Sequence, residues 1–218
     1  MLQRWHEISF FHWSCAPSLL RARVPEQLQL DTYDGKAWIS LTPFLLKGLR
    51  APMVPEFLGL DFPETNLRTY VIGPKGPGIW FFSLDAGKLL PVAGARATFG
   101  LPYFWADMHV DISADENFYF SNRGGRVKTR IRIAREGRIT APSSLDIFLT
   151  ARFRLYSIVG RRLVTARVEH APWELNRARI LQFEEDVRRA MGVEFPATDL
   201  LIHHSHGVDT KIGVPRPS

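Results

Sequence analysis

The stretch Pro63–Val71, PETNLRTYV, constrains the fold of this chain more than any other. As a β-strand its side chains alternate, so Glu64, Asn66, Arg68 and Tyr70 share one face and Leu67, Thr69 and Val71 the other. Strongly apolar segments lie on both sides of it, which places four hydrogen-bonding side chains on one side of a buried strand. An acid, an amide and a guanidinium in such a position must be paired or bound to something, because an unpaired buried charge is very costly. A sheet closed around a polar pocket meets that requirement. The pattern points to the pocket without naming a reaction.

A chain of 218 residues that is 45% hydrophobic can bury one large core, and a single domain over residues 1–218 is expected. No apolar run approaches the ~20 residues needed to cross a bilayer. The start, MLQRWHEISFFHW, carries Glu7 and lacks the charged, apolar, small order of a secretory signal. Cys15 is the only cysteine, which excludes an internal disulfide and suits a reducing compartment, so a cytoplasmic location is expected. The net charge of +6 raises a nucleic-acid reading. Much of the excess lies in Arg123–Arg138 and Arg152–Arg167, and in the first run Lys128, Arg130 and Arg132 alternate with Thr129, Ile131 and Ile133. That is a strand with one solvated basic face. Without interleaved aromatics or a nucleic-acid module, neither nucleic acid nor membrane is expected as a partner.

Along the chain, Ala16–Val24 reads as a short helix with Pro17 in its first turn. Asp34-Gly35 is a turn leading into a strand at Lys36–Phe44. Leu45–Phe62 reads as a long Pro- and Gly-punctuated connection, of the kind that covers a site. Gly73–Gly78 is a hairpin turn before the aromatic strand Ile79–Leu84. Gly94–Ile112 continues the strand pattern with a Gly-Leu-Pro break. Further strands are expected at Glu116–Ser121, Arg126–Ala134, Ile147–Tyr156 and Arg162–Val168, with turns at Asn122–Gly125, Glu136–Gly137 and Gly160. Pro172–Met191 is expected to be the one long C-terminal helix, with Trp173, Leu175, Ile180, Leu181, Phe183 and Val187 as an irregular apolar stripe and Gly192 beyond its end. One more segment follows at Leu200–Ile212. The class is mainly β, a β-rich α+β domain with packed helices.

Six segments, PETNLRTYV, GIWFFSLDA, ARATFGLPYFWADM, LTARFRLYS, EHAPWELNRA and HHSHGVDT, follow in that order between about Trp13 and Asp209. Together they resemble the DUF2071 family of YqjF-like uncharacterised proteins, within the acetoacetate-decarboxylase-like superfamily. The resemblance implies an antiparallel β-barrel with a central cavity and few helices. Superfamily relatives assemble into oligomers, so it also implies a homo-oligomer. Acetoacetate decarboxylases carry Gly-Arg-Glu-x-x-Gly-Phe-Pro-Lys-Lys, whose lysine amine forms a Schiff base with a ketone. Laying GLPYF on that motif puts Tyr103 and Phe104 where the lysines would be, and neither can form an imine. None of the six lysines (36, 47, 75, 88, 128 and 211) lies in the segment. Schiff-base decarboxylation is therefore disfavoured. Arg96 matches the motif's arginine, Ala97 replaces its glutamate, and Glu64 corresponds to the superfamily's cavity glutamate.

The candidate site is Glu64 and Tyr103 as acid and base, with Asn66, Arg68 and Arg96 binding the ligand. Arg68 would hold a carboxylate or enolate oxygen through its fork of donors. Glu64 would act as acid or base if burial raises its pKa, with Tyr103 as hydrogen-bond or proton donor. The competing reading is a structural ion-pair network of Glu64, Arg68 and Arg96, with Tyr70 and Tyr103 as core aromatics. Trp38, Trp80, Phe81, Phe82 and Trp105 are available for an apolar wall. Two functions fit: a small-molecule-binding protein for an apolar or aromatic carboxylate or oxo acid, and a lyase, hydratase or isomerase acting on an oxo acid.

His204 and His206 share a strand face beside His203, a spacing seen in β-sheet metal sites. No acidic partner stands at a diagnostic spacing, so a surface or rim cluster is expected and no metal. His170 is expected to orient the helix start above Trp173, and Cys15 to be a buried structural thiol. GPKGPG has no helix behind it and fits a turn, not a phosphate loop. No cofactor is expected.

Overall fold

Strand pairing dominates the chain, and the computed structural model describes residues 1–193 and 200–218. The elements in order are β1 (Leu2–Cys15), α1 (Pro17–Arg21), β2 (Gln29–Leu30), β3 (Ala37–Arg50), a 3-10 turn (Glu56–Leu58), β4 (Leu60–Gly73), β5 (Gly76–Ala86), α2 (Leu89–Phe99), β6 (Tyr103–Trp105) and β7 (Asp107–Ile112). They continue with β8 (Glu116–Arg123), β9 (Val127–Arg138), α3 (Ser144–Thr150), β10 (Arg154–Val159), β11 (Arg162–His170), β12 (Asn176–Glu185), α4 (Val187–Ala190), β13 (Leu201–Ile212) and β14 (Arg216–Pro217).

Hydrogen-bonded neighbours run β11-β10-β5-β4-β3-β1-β13, and β13 pairs back onto β11 through Val168↔Ile212 and His170↔Thr210, so the strands close into a ring. Most of its pairings are antiparallel, as expected. The β5–β10 link is parallel, because α2 and the elements after it intervene between those two strands. A second set, β12-β9-β8-β7, extends from β13.

The two faces of β4 explain the architecture. Leu67 packs outward with Phe11, Trp13, Ile39 and Leu41 against Tyr119, Ile131, Ile133, Ile180 and Phe183 of the second set of strands. Fully burying each such aliphatic or aromatic side chain contributes about 1.5–3 kcal/mol. A one-residue slip would turn Glu64, Asn66 and Arg68 into that core, so the apolar face fixes the register. Inside the ring, Ile8, Phe10, Phe44, Leu46 and Phe62 form a separate cluster.

Several expectations hold. Asp34 (φ 51) and Gly35 (φ 73) form the anticipated turn, closed by the Tyr33↔Lys36 bridge. β4 and β5 form a hairpin with Gly73 opposite Gly76. On β9, Lys128, Arg130 and Arg132 are exposed while Thr129, Ile131 and Ile133 are buried. Glu184 and Glu116 pair with Arg130 and Arg132.

Others are corrected. The long C-terminal helix over Pro172–Met191 is absent: Asn176–Glu185 is strand β12 and only Val187–Ala190 is helical. Its apolar stripe was irregular because it follows a strand, with Ala178, Ile180 and Phe183 matched to Arg135, Ile133 and Ile131 of β9 across a bulge. Gly94–Phe99, expected to continue the strand pattern, belongs instead to helix α2, which starts at Leu89 and ends at Gly100 (φ 61). A Cβ there would lie 2.0 Å from the Ile158 carbonyl oxygen, so the stop requires glycine. Ile147–Thr150, expected as the start of a strand, lies in helix α3 (Ser144–Thr150). Ser143 and Asp146 cap it reciprocally, and Asp146 Oδ2 accepts from the Ser143 N–H at 2.7 Å. Half of the expected 45–62 connection is strand, as β3 runs to Arg50 and β4 starts at Leu60, and the connection itself shortens to residues 51–59. Glu136 and Gly137 belong to β9 and form no turn.

Candidate functional site

Inside the ring lies a cavity of about 350 Å³. Strand β4 sends Phe62, Glu64, Asn66 and Arg68 into it, the alternation read from sequence. Two irregularities complete the lining. Between Leu67 and Arg68 the β4–β5 register shifts by one residue, so β5 contributes both Phe81 and Leu84, on opposite parities. On β1, Glu7 takes a left-handed backbone (φ 47), and the lining passes from Gln3 and Trp5 to Ile8. The wall is mainly apolar, with Trp5, Phe44, Phe62, Phe81, Phe99 and Trp173 among its residues.

Glu64 is 4% exposed, and its Oε2 accepts a hydrogen bond from Tyr103 Oη at 2.8 Å. Burial pushes the Glu64 carboxyl up to about 7. Hydrogen bonds from Tyr103 and Asn66 pull the other way, and the charge of Asp85 adds to the rise. Burial, and then the Glu64 charge, hold the Tyr103 phenol well above its ordinary value, so Tyr103 stays a donor at neutral pH.

Arg68 is 6% exposed and lies over the Phe10 ring at 5.4 Å. Its Nε has no hydrogen-bond partner, and neither has Asn66 Oδ1. Among the described residues no carboxylate lies within ion-pair distance of Arg68. The Glu64–Arg68 ion pair offered as a structural alternative is therefore not formed. Tyr70 shares the face but stands beyond the cavity, packed with Trp38 and Leu149, its hydroxyl donating to the Leu149 carbonyl at 2.9 Å.

Arg96 does not join the others. It sits in the last turn of α2 with its Nε donating to the Tyr103 carbonyl at 2.5 Å and its guanidinium over Phe104. It lies outside the cavity lining and holds the segment that carries Tyr103. None of the six lysines lines the cavity either. Of the aromatics proposed for the wall only Phe81 does so: Trp80 and Phe82 pack beside Val71 and Tyr156, and Trp105 is 49% exposed.

Sequence reasoning missed Arg152, Thr150, His170 and Trp5 in the lining. They arrive from α3, its exit, β11 and β1, and no local pattern connects them. Arg152 is already neutralised, with Nη1 2.5 Å from Asp31 Oδ2. His170 begins no helix. It packs 4.9 Å from Trp173 and 4.9 Å from Phe153, and burial keeps its imidazole below the usual value. Cys15 is buried as expected, and burial pushes its thiol up to about 11. The histidine cluster is not a surface feature, since His203 and His204 are fully buried and only His206 is exposed. The acidic partner that the spacing lacked is Glu7, from the opposite end of the chain. No helix of the described residues is long and apolar enough to cross a membrane.

Solved structures share the fold. MppR, an enduracididine biosynthesis enzyme complexed with pyruvate, superposes with a TM-score of 0.73 at 13% identity, covering 99% of this chain and 89% of that one. Acetoacetate decarboxylase from Legionella pneumophila gives 0.69 at 12% identity, covering 100% and 87%. In sequence, the uncharacterized protein YqjF of Bacillus subtilis (strain 168) is 43% identical over 215 residues, 96% of this chain and 88% of that protein. The DUF2071 family model, described as an uncharacterized conserved protein, matches residues 2–209. With the match spanning nearly every element that builds the cavity, the chain belongs to the DUF2071 family.

Proposed function

We propose that the protein binds a small carboxylate, an oxo acid or an apolar or aromatic acid, with Arg68 holding the carboxylate inside a barrel formed by the ring of strands. The observation that carries this reading is a guanidinium buried against a 350 Å³ cavity with no carboxylate among the described residues within ion-pair distance to neutralise it. A ligand carboxylate would supply that counter-charge through parallel N–H···O bonds. Asn66 stands beside it with an unused acceptor, and the aromatic wall suits an apolar remainder. The solved MppR complexes hold pyruvate and the condensation product of pyruvate and imidazole 4-carboxaldehyde, so oxo acids are the first ligands to try. Calorimetric titration with pyruvate, phenylpyruvate and phenylacetate tests the reading. Binding by the aromatic acids supports it, and no binding by any of the three removes it.

One observation favours a second reading, an enzyme of the lyase, hydratase or isomerase type. A carboxyl that titrates near neutral pH, 2.8 Å from a phenol donor and beside a cavity, has the pKa of a general base. Ionised Glu64 would take a proton from the carbon next to a ligand's keto group. The C–H electrons would form the enolate, and Tyr103 would hydrogen-bond its oxygen. No lysine is placed to form an imine, so this chemistry proceeds without a Schiff base. Exchange of the phenylpyruvate α-proton in deuterated water, followed by NMR, should be faster with the protein than without it and lost in Glu64→Gln. Borohydride with acetoacetate should leave the protein mass unchanged.

A further inference from the structure

Glu7, His204 and His206 lie outside the cavity lining, where β1 and β13 meet β8 and β9. We propose that these three side chains form a binding site for a divalent transition-metal cation of zinc-like chemistry. Glu7 lies between His6 and Ile8, which pair with Gly207 and Ser205, so it stands directly across from His206. Its carboxylate reaches both rings, Oε1 being 2.8 Å from His206 Nδ1 and Oε2 3.2 Å from His204 Nε2. All three ligand atoms lie within 4.8 Å of one another. Tetrahedral zinc with bonds near 2.0–2.1 Å needs ligand atoms about 3.4 Å apart. Only a small outward turn of a ring is required, and His206, with 66% of its side chain exposed, is free to make it.

A second observation points to a ligand. His204 is fully buried, yet its Nε2, 3.2 Å from Glu7 Oε2, is left without a satisfied hydrogen-bond partner. Its other nitrogen, Nδ1, lies 3.3 Å from Ser9 Oγ. With the proton on Nδ1, the Nε2 lone pair is left pointing into the cluster, as a metal ligand requires. The surroundings form an ordered outer shell. Ser9 Oγ contacts Tyr119 Oη at 2.8 Å, Tyr119 donates to the Glu7 carbonyl at 2.7 Å, and Asn117 Nδ2 donates to Glu7 Oε2 at 2.9 Å. His206 keeps an exposed edge, which leaves a coordination position for water. On metal binding the proton between His206 Nδ1 and Glu7 is replaced by the cation, and the neutral ring carries its hydrogen on the solvent-facing nitrogen.

Arg135 opposes the cation: its Nη1 lies 3.2 Å from Glu7 Oε2. The site is accordingly weaker than a structural zinc centre, and removing that charge should strengthen it. The test is calorimetric titration of the tag-free, metal-stripped full chain with zinc, together with the visible spectrum after cobalt addition. One zinc per chain is expected, with an intense visible cobalt band of low coordination number. His206→Ala, at a largely exposed side chain, should weaken binding about 100-fold, and Arg135→Gln should tighten it about tenfold. No zinc binding, or binding that His206→Ala leaves unchanged, overturns the proposal.

Discussion

Arg68 is buried and Arg123 largely so, with 13% of its side chain exposed; each lies over a phenyl ring with its Nε unpartnered, and they differ in the acid that faces them. Arg123 pairs with Asp85, donates to Ser83 Oγ at 2.6 Å and lies 3.9 Å over Phe104. Asp85 in turn accepts from Ser121 Oγ at 2.7 Å. Both charges are used up by protein groups. Arg68, on the strand paired with β5, has an aromatic ring beneath it and an open cavity before it, and the acid on its own strand is held by Tyr103. A closed pair is architecture. An open charge of the same kind, kept in the same sheet, is a place for something else.

The largest effect should come from breaking the closed pair. Asp85→Ala leaves the largely buried Arg123 charge without its partner and should cost about 3–5 kcal/mol in urea denaturation. Glu64→Gln acts through pH. The folded pKa near 7 lies above the unfolded carboxylate value, so the folded protein binds the extra proton. The stability this contributes is full below the unfolded value and is lost as pH rises through about 7. Wild type should therefore lose on the order of 2–3 kcal/mol between pH 4.5 and 7.5 relative to Glu64→Gln, measured by denaturation at each pH. Arg68→Met should have the opposite sign to Asp85→Ala, stabilising the ligand-free protein by about 1–2 kcal/mol, since it removes a charge with no counter-ion. Arg96→Ala, at an exposed position outside the cavity lining, should change ligand affinity by less than about twofold.

The sequence made the inward face of β4 legible because period-2 alternation is a local signal, and Glu64, Asn66 and Arg68 line the cavity as that alternation required. It could not show that Glu64 and Arg68, four residues apart, avoid each other. Their partners, Tyr103 and the cavity itself, come from other strands. Arg96 was misplaced for a related reason. The motif alignment was right about its neighbourhood, but α2 turns its side chain onto Tyr103's backbone. The missing long helix reflects the same limit, because β12 is a strand through its pairing with β9 and not through its own pattern. One signal was present and unused: Ser143 three residues before Asp146 marks the start of α3. The Glu7–His204–His206 cluster joins the two ends of the chain, and spacing could not have found it.

The central claim is that Arg68 is open because a ligand carboxylate closes it. Isothermal titration of wild type and Arg68→Met with phenylpyruvate, phenylacetate and phenylacetamide tests it most directly. The account predicts that wild type binds the two acids and not the uncharged amide, and that Arg68→Met stays folded while losing about 100-fold or more in affinity for the acids. Equal affinity of the two proteins for the acids, or equal binding of acid and amide by wild type, would contradict it.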